Sequence, residues 1–244
     1  MKTSNEFRSM RNKIVYFRDQ LNKYGPLIAP YLILHEFFYK RYFGLKNIYF
    51  PDFSKNLPIT ASRSLYSDSH ENKESSWFAI KKAFNKIPIP CEEIRLLDIG
   101  CGSGKSMLMG MKLKFLEVIG IDLDTPSIEQ GLRNCEKMKL FGSPTCFSLK
   151  QYDAATFKNI ADGINLIYLF NPFGKTTMSK VVNNIESFVK NQPADVFIIY
   201  MNPLYLELFT EINCFETYYS SYFKGGNKKE MVIFRANRNL CKPL

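Results

Sequence analysis

The rhythm of hydrophobic and polar positions changes near residue 93. Beyond it, short apolar runs alternate with longer stretches whose apolar residues recur every three or four positions. A short apolar run between turn residues fits a strand buried on both faces, and the 3.6-residue recurrence fits a helix with one packed stripe. EIRLLDIG (93–100), EVIGIDL (117–123), INLIYLF (164–170) and DVFIIYM (195–201) are predicted strands, with a weaker one over Thr145 to Gln151. Helices are predicted for Ser103 to Phe115, Thr125 to Leu140 and Lys175 to Asn191. Thr125 reads as the cap of the second, with Pro126 in its first turn. Strands alternating with helices imply an α/β architecture with a parallel sheet covered on both faces.

The pattern then changes twice more. FETYYSSYF (215–223) and EMVIFRAN (230–237) are two β-type runs joined by KGGNKK, where Gly225 and Gly226 can supply positive φ, so a hairpin is expected. The sheet should therefore be mostly parallel and close with an antiparallel pair. Upstream, residues 1–90 are aromatic-rich and irregular. Helices are expected at about 5–24 and 28–43, then an irregular stretch through Pro51 and Pro58, then a helix from Ser75 to Phe84. The expected organisation is an N-terminal helical extension, residues 1–90, serving as a cap or lid on a sheet domain, residues 91–244.

Composition narrows the class. With 244 residues, 45% of them hydrophobic, the chain suits one domain plus an extension and is not a disordered chain. The opening MKTSNEFRSMRNK lacks the apolar core of a secretion signal. Tyr24 to Phe38 is broken by Pro26, Pro30 and His35 and falls short of the roughly 20 residues of a membrane span. A cytoplasmic location is the expectation. Six scattered cysteines without a C-x-x-C pair, beside two histidines, point to free thiols and no metal site. A net charge of +10 suits nucleic acid, an acidic membrane surface or an anionic substrate, but the lysines are spread along the chain and mark no module.

The chemistry concentrates in LLDIGCGSGKS (96–106), a strand that runs into a glycine-rich turn and then a helix. Glycines let a ligand approach the backbone, and a helix start offers unpaired N–H groups. A triphosphatase loop, G-x-x-x-x-G-K-[ST], would need glycine five residues before Gly104, where Ile99 stands. The dinucleotide fingerprint G-x-G-x-x-G matches Gly100 and Gly102 but meets Lys105 at its third glycine. The pattern (D/E)-x-G-x-G-x-G is matched in full by Asp98, Gly100, Gly102 and Gly104.

That pattern resembles motif I of the class I S-adenosylmethionine-dependent methyltransferases. The resemblance covers about residues 93 to 237 and implies a three-layer, Rossmann-like sheet with S-adenosylmethionine as cofactor. A carboxylate at the strand end suits a ligand carrying an ammonium and a sulfonium. By the same resemblance Cys101 and Leu123 flank the cofactor, and Asp122, at the tip of the second strand, accepts from the ribose hydroxyls. Asp153 and Ala154, in QYDAATF, meet the adenine. A helix-terminal carboxylate beside Thr125 is the simpler reading of Asp124. Asn171, Pro172 and Phe173 look like a shortened relative of the (N/D)-P-P-(Y/F) motif of amino-methyltransferases. They lack its second proline, which leaves nitrogen as acceptor in doubt.

His70 and Glu71 are the candidate bases, and Tyr66 and Trp77 could line a lid; core packing is the simpler reading of Trp77. The first expectation for the acceptor is a small-molecule or glycan hydroxyl. The alternatives are a protein or RNA nitrogen and a non-catalytic cofactor-binding subunit. The N-terminal aromatic stretch leaves peripheral membrane contact open, no nucleic-acid module is legible, and oligomeric state is not readable.

Overall fold

The computed structural model describes residues 15, 17–18, 21–22, 24–42, 76–157, 161–170, 173–223 and 228–241. Its strands are β1 (Arg95–Ile99), β2 (Glu117–Asp122), β3 (Cys146–Gln151), β4 (Leu166–Phe170), β5 (Val196–Met201), β6 (Phe215–Tyr222) and β7 (Lys229–Ala236). The helices are α1 (Ala29–Tyr42), α2 (Trp77–Phe84), α3 (Lys105–Lys112), α4 (Thr125–Leu140), α5 (Lys175–Lys190) and the single turn α6 (Glu207–Thr210). One sheet runs in the order β3-β2-β1-β4-β5-β7-β6. The first five strands pair in parallel, and β7 lies antiparallel between β5 and β6.

The two-residue period of the strands explains the layers. Leu96, Val118, Leu166 and Ile199 pack on one face, with Trp77, Ile80 and Phe84 of α2, Met107 and Leu108 of α3, and Ile128 and Met138 of α4. Their neighbours Leu97, Ile119, Ile167 and Ile198 pack on the other, against Met178, Val182 and Ile185 of α5 and Phe209 of α6. Burying a side chain of this size contributes about 1.5–3 kcal/mol, so each central strand is held from both faces. Trp77 is 1% exposed, as its core reading expects. The ring of Tyr39, from α1, stacks on it with centroids 5.8 Å apart.

Two expectations are corrected. The cap of α4 is Asp124, whose side chain accepts from the Ser127 N–H at 3.0 Å; Thr125 is already helical, and Asp124 is the last extended residue before it. The cysteines are not all free thiols: Cys214 and Cys241 form a disulfide, with Cα atoms 4.2 Å apart. After β7 the chain turns at Asn237, whose side chain accepts from the N–H groups of Asn239 and Leu240, and so returns beside the start of β6. Cys91, Cys101, Cys135 and Cys146 are free. The expected hairpin is present as β6 and β7, while Gly225 and Gly226 lie outside the described residues, as do Pro51 and Pro58.

Candidate functional site

The glycine turn is built at the C-terminal edge of β1. Gly100, Gly102 and Gly104 all have left-handed backbone, with φ of 77°, 51° and 84°. Only glycine takes up that conformation without steric cost, which accounts for all three positions of the motif. The Gly100 and Cys101 N–H groups donate to the Ile121 carbonyl at 2.9 and 3.0 Å, pinning the turn to the end of β2. A Cβ placed on Gly102 would meet nothing within 4 Å, so the turn faces open space there. Helix α4 supports it from behind. A Cβ on Gly131 would come within 3.3 Å of the Ser103 carbonyl carbon, and the Asn134 side-chain amide donates to the Ser103 oxygen at 3.0 Å.

Two carboxylates flank this turn. Asp98 is 3% exposed and accepts from the Ser106 hydroxyl. Burial pushes its pKa up to about 7; the Ser106 hydrogen bond opposes the rise and the nearby Asp122 charge adds to it. Asp122 is fastened to the backbone on both oxygens: Oδ2 accepts from Gly102 N–H at 2.8 Å, and Oδ1 from Asp124 N–H at 2.9 Å. Burial raises its pKa too, and the backbone donors of Asp124, Gly102 and Leu123 hold it down. A carboxylate has about four acceptor sites, so Asp122 retains the capacity to accept from a ligand. Buried Cys101 is kept as a neutral thiol by desolvation and by the charges of Asp98 and Asp122. Among the described residues, neither carboxylate has an ion-pair partner.

The lysine that follows the turn does not answer these charges. Lys105 Nζ lies 3.2 Å from Glu36 Oε2 on α1 and 5.0 Å above the Trp77 ring. Glu36 Oε1 also accepts from the Trp77 N–H at 2.5 Å. The electrostatics of the turn thus suit a cationic ligand and oppose a polyphosphate, which would face two carboxylates with its expected lysine drawn away.

The segment after β3 joins the same edge. Tyr152 N–H donates to the Asp122 carbonyl at 2.9 Å, which brings Asp153 and Ala154 beside the tip of β2. Asp153 Oδ1 accepts from the Ala155 N–H at 2.8 Å, a turn-capping contact, and Ala154 is buried. Leu123 is half-buried, its carbonyl accepting from the Gln151 side chain at 3.3 Å. Phe173 is half-buried against the α5 core. Asn171, Pro172, Tyr66, His70 and Glu71 lie outside the described residues.

Sequence reading missed several members of this edge. Ser106, Gly131, Asn134, Lys105 and Glu36 act through contacts that only the folded chain creates. Asn202, directly after β5, has left-handed backbone at φ 47° and donates its N–H to the Glu230 carbonyl at 2.8 Å. Its signal was present as a second Asn-Pro pair at a strand end.

No protein-family model matches the chain, and no curated protein matches it. Solved structures do. The Escherichia coli protein yhhF, provisionally named a methyltransferase, is 13% identical with a TM-score of 0.51, over 68% of this chain and 89% of that one. A Streptococcus agalactiae protein of the NADB-Rossmann superfamily is 15% identical with a TM-score of 0.50, over 71% of this chain and 72% of that one. An ordinary dinucleotide sheet runs 3-2-1-4-5-6 in parallel, whereas here antiparallel β7 is inserted before β6. The chain has the class I methyltransferase fold. In all, 898 solved chains match, and likeness at this level of identity speaks for the fold alone. Within this fold the glycine turn, Asp122 and the Asp153–Ala154 turn occupy adjacent C-terminal strand ends, the edge at which open α/β sheets bind ligands.

Proposed function

We propose that this chain binds S-adenosylmethionine at the glycine turn and catalyses transfer of its methyl group. The observation that carries the reading is the Asp122 carboxylate, fixed by two backbone N–H groups beside the open face of Gly102. In this reading Asp122 accepts from the ribose hydroxyls, flanked by Cys101 and Leu123. Asp153 and Ala154 take the adenine, and Asp98 balances the ammonium from behind the turn. The cofactor supplies a methyl group activated by its sulfonium. The protein's task is to align acceptor, methyl and sulfur and to exclude water.

The acceptor we propose first is a small-molecule or glycan hydroxyl, which needs a base; His70 and Glu71 are the proposed ones, with Tyr66, Pro172 and Phe173 lining the acceptor. Asn171 would face the transferring methyl. If instead it holds a nitrogen, the acceptor is a protein or RNA amine. Residues 1–90 would act as the cap. A subunit that binds the cofactor without turnover is the remaining alternative, and a methyl-transfer assay separates it.

The test is calorimetric titration with S-adenosylmethionine and S-adenosylhomocysteine, with ATP and NAD as controls. Binding of the two methyl-cycle ligands is expected, weakened at least tenfold in Asp122→Ala, since a hydrogen bond to a charged group is worth roughly 1.5–3 kcal/mol. Preference for ATP, or no binding by the unaltered protein, overturns the proposal.

A further inference from the structure

Helix α3 leaves the glycine turn with a lysine as its first residue and another two turns on, Lys105 and Lys112, on one face of the helix. Both are taken up by α1. Lys105 Nζ lies 3.2 Å from Glu36 Oε2, and Lys112 Nζ stands 5.0 Å above the ring of Tyr39. Glu36 is itself fixed from a second side. Its Oε1 accepts from the N–H of Trp77, the first residue of α2, and Lys105 Nζ lies 5.0 Å above the Trp77 ring. Helix α1 is seated on the same face by Ala29 and Leu32, which are fully buried, and by Tyr39, whose ring stacks on Trp77. The Lys105–Glu36 pair is shielded from water, its side chains 13% and 11% exposed. Removing one partner of such a pair leaves the other charge uncompensated.

We propose that Glu36 is a positioning residue that sets which sign of charge the glycine turn accepts, by holding Lys105 away from it. The inference rests on the reading of the turn as the S-adenosylmethionine site and deepens it. Left to itself, a turn of sequence GSGKS carries its own cation. Lysine is a point charge on a flexible four-carbon stem and a common partner of phosphate at such turns. Swung back toward the turn and its carboxylates, the ammonium would offset the charges of Asp98 and Asp122. It would repel the ammonium and sulfonium of the cofactor and draw a polyphosphate instead. With Glu36 in place, Lys105 is engaged by α1, and the two carboxylates stay open to a cationic ligand. A residue of the N-terminal helix thus acts on ligand choice at the sheet edge without touching the ligand.

The test is calorimetry on the full chain with S-adenosylhomocysteine and, as a bare anion, inorganic pyrophosphate. Glu36→Gln keeps the acceptor for the Trp77 N–H and removes the charge that holds Lys105. It should weaken S-adenosylhomocysteine about tenfold and tighten pyrophosphate about fivefold, the scale of one added charge near a protein surface. Glu36→Gln combined with Lys105→Gln should return both affinities to within about twofold of the parent, because no lysine is left for Glu36 to hold. A merely structural role for Glu36 gives a different result, since a loosened fold weakens both ligands. Both ligands weakened together, affinities that do not move, or a double variant no better than Glu36→Gln overturns the inference. If the parent does not bind S-adenosylhomocysteine, the cofactor reading falls by itself and pyrophosphate still decides this one. A gain in Glu36→Gln that Lys105→Gln abolishes then supports it, and no gain overturns it. Should Glu36→Gln lose its melting transition, Glu36→Asp, drawn back by one methylene, takes its place, with the same pair of opposite shifts expected in smaller size.

Discussion

Two buried carboxylates on this sheet are treated in opposite ways. Glu230 on β7, 2% exposed, accepts from Lys82 Nζ at 2.7 Å, Ser221 Oγ at 3.0 Å and the Tyr24 hydroxyl at 3.1 Å. Asp98 on β1, equally buried, has the Ser106 hydroxyl and, nearby, the like charge of Asp122. The first is a tie, closing the N-terminal region onto the sheet edge with its charge balanced. The second is left under electrostatic tension at the glycine turn. A fold tolerates such tension where a ligand of opposite charge relieves it, so the contrast sets a structural acid against the one proposed to face the cofactor.

That contrast can be broken by substitution, and the two sites should respond with opposite signs. Asp98→Asn carries the largest expected effect. The folded-state pKa of Asp98 is raised from 3.8 to about 7, so its contribution to stability is present at acid pH and lost as pH rises from about 4 through about 7. The variant should be more stable than the parent above pH 7, by on the order of 4 kcal/mol at about 1.4 kcal/mol per pH unit, and the gap should close toward pH 4. Urea unfolding across pH checks this, and a variant less stable at pH 8 would show Asp98 to be a structural acid like Glu230. Glu230→Ala should destabilise by about 3 kcal/mol, the low end for a broken buried pair because the Lys82 side chain is 31% exposed and can turn to water. Unchanged stability there would erase the distinction from the other side. Gly131→Ala has the smallest effect, about 1–2 kcal/mol from overpacking against Leu149 and the Ser103 carbonyl. It also moves α4 off the turn, so S-adenosylmethionine affinity should fall with it; affinity left intact would mean that α4 supports the fold and not the turn.

The parts legible in the sequence are those set by local pattern. Strands such as LIYLF and VFIIYM, buried on both faces, cannot carry charge and so stand out. The motif glycines are legible because each answers a backbone angle. What escaped depends on distant partners. Nothing near Cys214 marks Cys241 as its mate; the turn at Asn237 brings them together. Glu230 stands at the start of an apolar run, and its pairing depends on Tyr24 and Lys82, which arrive from far along the chain. Lys105 pairs with Glu36, 69 residues away, which no local pattern announces. Asp124 and Thr125 are both good caps, and only the backbone angles decide between them.

The position of β7 also sets an order of events for a chain growing from its N-terminus. Among the described strands this one comes last in sequence yet fills an interior slot, bonded on one side to β5 and on the other to β6. Until residues 229–236 emerge, the long edge of β5 stands unpaired and β6 has no neighbour to join. A nascent chain stalled just short of that strand would expose a row of open N–H and C=O groups, a template for mispairing. Completion of the sheet therefore waits for residues 229–236, and the C-terminal strand ends beside β5 mature with it.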